Sequence, residues 1–209
     1  PCIDCNRIMK FDRLYERAKI LGCDHVATGH YARIEEQDGK FVLKKALDPA
    51  KDQSYVLYTM TQEQLAHTLF PLGGYSKPEA RKLAEDGGLV NAEKPDSQDI
   101  CFAPDGDYAA AIERYTGKKP QPGNFVDADG NVLGQHKGII HYTIGQHRGL
   151  GLGQNERAYV CKICPADNTV VLGPSEALFR RDASAADVNW ISGQAPDGPI
   201  RCCAKVRYR

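Results

Sequence analysis

NRIMKFDRLYERAKILGCDHVATGH, residues 6–30, is the stretch from which the first half of the chain can be read. Asn6 is a residue type that caps helices. Ile8, Met9, Leu14, Ala18 and Leu21 recur near helical spacing before Gly22 stops the run. Asp24–Thr28 then reads as a short buried strand that ends in Thr28-Gly29-His30. A helix that feeds such a strand is the unit of an α/β layer, where ligands collect at the carboxyl ends of strands.

Outward from this stretch, Ala32–Glu35 and Phe41–Lys45 flank the turn residues Asp38-Gly39 and predict a hairpin. Thr61 with Gln64, and Ser76 with Glu79, have the spacing of capping boxes and open two helices, the second ending at Gly87-Gly88. Tyr108–Tyr115 reads as a further short helix. The pattern changes after Gly117. Residues 118–123, KKPQPG, form a connector, and Asp129-Gly130, Gly138, Gly149, Gly151 and Asp167-Asn168 then punctuate short β runs over Ile139–Ile144, Ala158–Ile163 and Thr169–Leu172. The last ten residues alternate, with Ile200, Cys202, Ala204, Val206 and Tyr208 opposite Arg201, Lys205, Arg207 and Arg209, and predict a strand. The expected order is α/β first, then a small β module, then the opening of another β unit.

Composition fits a globular protein. The chain has 209 residues, 27 Lys+Arg against 27 Asp+Glu, and 42% hydrophobic residues, with a mean hydropathy of −0.48. Disordered and fibrous classes are excluded. No apolar run approaches the roughly 18 residues of a membrane span. Zero net charge gives no global attraction to nucleic acid, so such binding would need a local patch. Eight cysteines without a secretory leader fit reduced thiols in the cytoplasm better than a disulfide scaffold. The first residue is Pro1 and the last, Arg209, lies inside an expected strand, so the sequence reads as part of a longer protein.

Two segments carry cysteine chemistry. In Cys2-Ile3-Asp4-Cys5-Asn6, Cys5 sits beside an expected helix N-terminus, where unpaired N–H groups and the helix dipole favour a thiolate. That suits a nucleophile or redox partner. CxxC is equally half of a zinc knuckle, and Cys161-Lys162-Ile163-Cys164 would supply the other half of a zinc-stabilised nucleic-acid-binding module. The distance between the pairs and the strand character of Ala158–Ile163 count against that joint site. In Asp96–Phe102, Cys101 read locally is a small core residue. His30 is open between a ligand-facing and a satisfied buried histidine, and Lys51-Asp52-Gln53 reads as a solvated loop.

Several segments in order resemble the tRNA-specific 2-thiouridylase family: Pro1–Asn6, Ala27-Thr28-Gly29-His30-Tyr31-Ala32, Asp48-Pro49, Lys51–Tyr55, Leu69–Gly73, Ser97–Phe102 and Tyr142–Gly151. The resemblance implies the carboxyl-terminal part of a PP-loop ATP-binding domain (adenine nucleotide alpha-hydrolase-like) over residues 1–116. It also implies a central β-rich domain over 117–182 and the first part of a C-terminal β-barrel over 183–209. It implies ATP, with magnesium, as the activator of the wobble uracil of tRNA, with Gly29 letting a backbone approach the nucleotide. Cys101 would carry a persulfide received from a sulfur-relay protein or cysteine desulfurase, and Cys5 would close a disulfide with it on sulfur release. Pro1, Cys2, His30, Lys51, Asp52, Gln53, Arg207 and Tyr208 would meet tRNA. The family's SGGVDSS loop is not among these residues, so the piece alone is expected to be inactive. Cys2 stands where some members carry Asp, and His147 replaces a common Arg.

Overall fold

A computed structural model of the chain describes residues 2–94, 101, 103, 106–153 and 158–205. The chain divides into two compact units, Pro1–Asp96 with Ala186–Arg209, and Ser97–Ala185. Helix Tyr108–Thr116 lies in the second unit, and residues 186–209 group with the first.

The first unit opens with a helical run made of α1 (Cys2–Asp4), a π-wound stretch (Cys5–Leu14) and α2 (Tyr15–Ile20). Asn6 is therefore not the cap expected for it. It lies inside the run, 3% exposed, and its side-chain N–H2 donates to the Val56 carbonyl at 3.5 Å. The expected apolar face is also corrected. Ile8, Met9, Leu14 and Leu21 are exposed, while Asn6, Phe11, Tyr15 and Ala18 are buried. A π turn takes more residues than an α turn, so positions five apart, Asn6 and Phe11, come over one another and face the core. Gly22, at φ 71°, ends the run as expected.

Strand β1 (Val26–Ala27) follows, shorter than the sequence implied, and pairs in parallel with β4 (Thr68–Leu69). Between them the expected hairpin forms from β2 (Ala32–Gln37) and β3 (Lys40–Lys45), with Asp38 and Gly39 both at positive φ in its turn. Helix α3 (Gln62–Ala66) is closed by its capping box, with Gln64 N–H donating to Thr61 Oγ1 at 3.2 Å and Thr61 N–H to Gln64 Oε1 at 3.0 Å. Helix α4 (Lys77–Asp86) starts where Glu79 accepts from the Ser76 N–H at 2.8 Å. Phe11, Ala32, Val56, Leu57, Met60 and Leu65 form the core, with Ile191 packed on it.

Residues 200–205 form no strand, contrary to the alternation. Their segment is tied down by side chains instead of a ladder. Asn189 Nδ2 donates to the Tyr58 and Met60 carbonyls at 2.7 and 3.0 Å, and Lys205 Nζ lies 5.2 Å from the centre of the Tyr55 ring. Gly73 closes this unit tightly. A Cβ there would lie 1.7 Å from the Ala32 carbonyl oxygen.

The second unit begins with α5 (Tyr108–Thr116), capped by Asp107, whose carboxylate accepts from the Ala110 N–H at 2.8 Å. Its sheet has the order β6-β5-β8-β7, from β5 (Gly123–Val126), β6 (Val132–His136), β7 (Tyr159–Cys164) and β8 (Thr169–Gly173). Phe125, Val160, Val170 and Leu172 fill its core with Tyr142 and Leu150. The strand expected over 139–144 is instead a 3-10 turn, Ile139–His141, followed by a loop. Two of its amides bond locally, His141 N–H to the Gly138 carbonyl and Tyr142 N–H to that of Ile139, both at 3.2 Å.

Candidate functional site

The parallel pair β1–β4 carries the chain to Thr28-Gly29-His30, and Thr28 N–H extends the ladder to the Leu69 carbonyl at 3.1 Å. His30 turns inward and is 7% exposed. Its Nδ1 lies 2.7 Å from Thr28 Oγ1 and its Nε2 3.4 Å from Lys10 Nζ. The Phe11 and Phe70 rings flank it, with centres 5.8 and 5.7 Å away. Burial first, and the Lys10 charge second, press its pKa from 6.5 to about 4. The ring is neutral at pH 7. Lys10 can only donate, so Nε2 accepts and the proton sits on Nδ1 toward Thr28; the tautomer is assigned from these partners. His30 thus has both nitrogens engaged inside the protein.

Gly29 is not required by the protein's own packing. An added Cβ would meet only Leu72, at 3.8 Å. The backbone there is open to solvent and leaves room beside it.

Lys51-Asp52-Gln53 is a built turn. Asp52 Oδ1 accepts from the N–H groups of Ala46 and Ser54 at 2.9 and 3.3 Å, and Oδ2 from the Ser54 hydroxyl at 2.9 Å. Gln53 and Tyr31 clasp each other: Tyr31 N–H donates to Gln53 Oε1 at 3.0 Å, and Gln53 N–H to the Tyr31 carbonyl at 2.8 Å. Lys51 is half-buried at the head of this turn. The expected partners of RNA therefore divide into Lys51, which carries charge, and Asp52 and Gln53, which hold the turn in shape.

Cys5 is half-buried in the π-wound stretch, four residues into the sequence-continuous helical run from Cys2. Cys101 is exposed and belongs to the second unit. All eight cysteines carry free thiols, so the disulfide expected between Cys5 and Cys101 is no feature of the folded chain as it stands. Pro1, Arg207 and Tyr208 lie outside the described residues. Among the described residues no group of three His, Cys, Asp or Glu side chains could hold a metal ion. Cys161 instead makes a 3.3 Å contact to the Tyr159 carbonyl within β7, and burial pushes its thiol pKa up. No helix among the described residues is long and apolar enough to cross a membrane.

The Tyr142–Gly151 segment is braced by its own contacts. Gln146 Oε1 accepts from Thr143 N–H at 3.0 Å, its Nε2 donates to the Arg148 carbonyl at 2.9 Å, and Tyr142 meets Phe125 edge-on at 5.1 Å. Lys10 and Thr28, the two groups that fix His30, were not singled out from the sequence. Thr28 stands inside the quoted TGH, whereas Lys10 is twenty positions away with no pattern linking them.

The family model described as the tRNA methyl transferase HUP domain matches residues 1–105, and that described as the tRNA methyl transferase PRC-barrel domain matches residues 110–174. The chain is 50% identical over 210 residues to the tRNA-specific 2-thiouridylase MnmA of Clostridioides difficile strain 630. It is 50% identical over 208 residues to the protein of that name from Clostridium perfringens, and 50% over 211 to that from Heliobacterium modesticaldum. All of this chain is covered in each case, but it spans only 58%, 58% and 55% of those relatives. With a HUP domain followed by a PRC-barrel domain and half its residues shared along its whole length, the chain belongs to the tRNA-specific 2-thiouridylase family.

Proposed function

We propose that this chain is the sulfur-transferring part of an enzyme that replaces the 2-oxygen of the wobble uridine of tRNA with sulfur, in the cytoplasm. The observation that carries this is the pair of unpaired thiols reachable from solvent, half-buried Cys5 and exposed Cys101, within a chain half-identical to 2-thiouridylases. ATP, with magnesium, supplies the adenylyl group that makes the uracil 2-oxygen a leaving group, and the open backbone at Gly29 suits its approach. Residues 1–116 serve that ATP-binding part, 117–182 the β-rich part and 183–209 the start of a further β-barrel.

Cys101 accepts sulfane sulfur from a relay protein or cysteine desulfurase and holds it as a persulfide. Its terminal sulfur bonds to C2 of the activated uracil as the adenylylated oxygen departs. The Cys5 thiolate then attacks the Cys101 Sγ and breaks the S–S bond, leaving sulfur on the uridine and a Cys5–Cys101 disulfide. Two thiolates have supplied the two electrons that the sulfane sulfur gains, and an external dithiol restores the pair. Lys51 meets tRNA phosphate from the turn that Asp52 and Gln53 hold, with Pro1, Cys2, Arg207 and Tyr208 as further contacts, and His30, engaged inside the protein, supports the tRNA-facing strand end from behind.

The test is Cys5→Ala and Cys101→Ala in the protein at its natural full length. Each is expected to abolish 2-thiouridine in tRNA nucleosides read by mass spectrometry, with tRNA binding retained. Normal thiolation by Cys101→Ala would refute the assignment. Methyl transfer, the chemistry in the family models' description, needs no sulfane sulfur, and the mass of the product separates the two.

A further inference from the structure

Tyr31, the residue after His30, is 6% exposed, and its hydroxyl oxygen is buried with no hydrogen-bond partner among the described residues. Native folds rarely leave such a group unpaired. The ring cannot easily withdraw, because Gln53 clasps the Tyr31 backbone from both sides. Tyr31 also lines a cavity of about 350 Å³ between this segment, helix α4 and the turns that follow it.

The lining has a definite chemistry. Lys77 and Arg81 stand one helical turn apart on α4 and so share a face, and Lys94 joins them from beyond Leu89. Lys77 Nζ lies over the Tyr31 ring, 5.7 Å from its centre. Leu72, Leu83 and Leu89 make an apolar wall, the last two 51% and 57% exposed. Among the described residues no carboxylate lines the cavity. Cations and a hydroxyl donor beside aliphatic surface select an anion joined to a flat or apolar body. An arginine fork matches phosphate oxygens in particular.

We propose that this cavity seats one nucleotide of an RNA strand, with its phosphate on Lys77, Arg81, Lys94 and the Tyr31 hydroxyl and its ribose against Leu72, Leu83 and Leu89. The site rests on the tRNA-modifying function proposed above. It adds a second phosphate anchor on a different element from the Lys51 turn.

The test uses the full-length protein and a fluorescent anticodon stem-loop RNA, with binding followed by anisotropy across a salt series, for wild type, Tyr31→Phe, Arg81→Ala and Lys94→Ala. Arg81→Ala is expected to weaken binding about tenfold and to reduce the slope of log K against log salt by about 0.7, one single-strand phosphate contact. Tyr31→Phe is expected to weaken RNA binding about fivefold while its melting temperature holds or rises, because the hydroxyl removed has no partner among the described residues. A purely structural tyrosine would instead lose stability. Unchanged affinity and salt slope in all the variants, with wild type binding RNA, would overturn the cavity and leave the proposed function standing. Absence of RNA binding by wild type would overturn both. If AMP, titrated separately, binds wild type but not Arg81→Ala while RNA binding of that variant stays intact, the cavity is assigned to a free nucleotide and the proposal is overturned.

Discussion

His30 makes acid stability of this fold a direct measurement of its burial. The neutral ring is favoured in the folded state, with a pKa near 4 against 6.5 unfolded. Above pH 6.5 both states are neutral and the group contributes nothing. Below 6.5 the unfolded chain takes up the proton and the folded one does not, so stability falls until the folded ring also protonates near pH 4. From pH 7.5 to pH 5 the loss works out at about 2 kcal/mol, and it approaches about 3 kcal/mol at pH 4. Glu35, Glu79, Asp127 and Glu176 also have lowered pKa values, from 4.5, 4.5, 3.8 and 4.5, so stability they provide is lost at lower pH and leaves the 5–7.5 window to histidine. His141, lowered by burial and by Lys137, adds in the same direction as His30. Urea unfolding at half-unit pH steps should therefore show the loss in wild type and most of it removed in His30→Asn, whose amide can still donate to Thr28. Lys10→Met, which takes away the secondary charge effect, should raise the His30 pKa followed by its ring proton shift. A His30→Asn protein with the wild-type pH dependence would refute the account of a neutral, desolvated ring.

Gly73→Ala should cost about 3 kcal/mol or more in a denaturant titration, because its Cβ must displace the Ala32 carbonyl 1.7 Å away. Gly29→Ala, which meets only Leu72 at 3.8 Å, should unfold like wild type yet lose ATP-dependent thiolation in the full-length enzyme. Asp52→Ala strands the Ala46 and Ser54 donors and should lower stability by about 2 kcal/mol, with Asp52→Asn recovering part of it in a thermal melt.

Features written in local chemistry were legible in the sequence. The Asp38-Gly39 turn, the Thr61–Gln64 box, the stops at Gly22 and Gly87, and strands β7 and β8 each rest on residues within a few positions of one another. What failed depends on distant partners. Asn6 looks like a cap until Val56, fifty positions on, claims its amide. Residues 139–144 look like a strand, but Tyr142 turns into the Phe125 core and the backbone follows. The site divides in the same way. The resemblance drew attention to Asp52 and Gln53, whose side chains prove to hold the backbone, whereas Lys10 acts on His30 and left no mark in periodicity.

The first unit is completed by residues from both sides of the second. Asn189 and Ile191 reach Tyr58, Met60 and Gln62 across separations of up to 131 positions. On the ribosome, the core around Phe11, Leu57 and Met60 is made early, but this strap emerges only after all of Ser97–Ala185 has been synthesised. The nascent first unit must therefore wait with that edge of its core uncovered while a second domain folds, a window in which a chaperone would have something to hold.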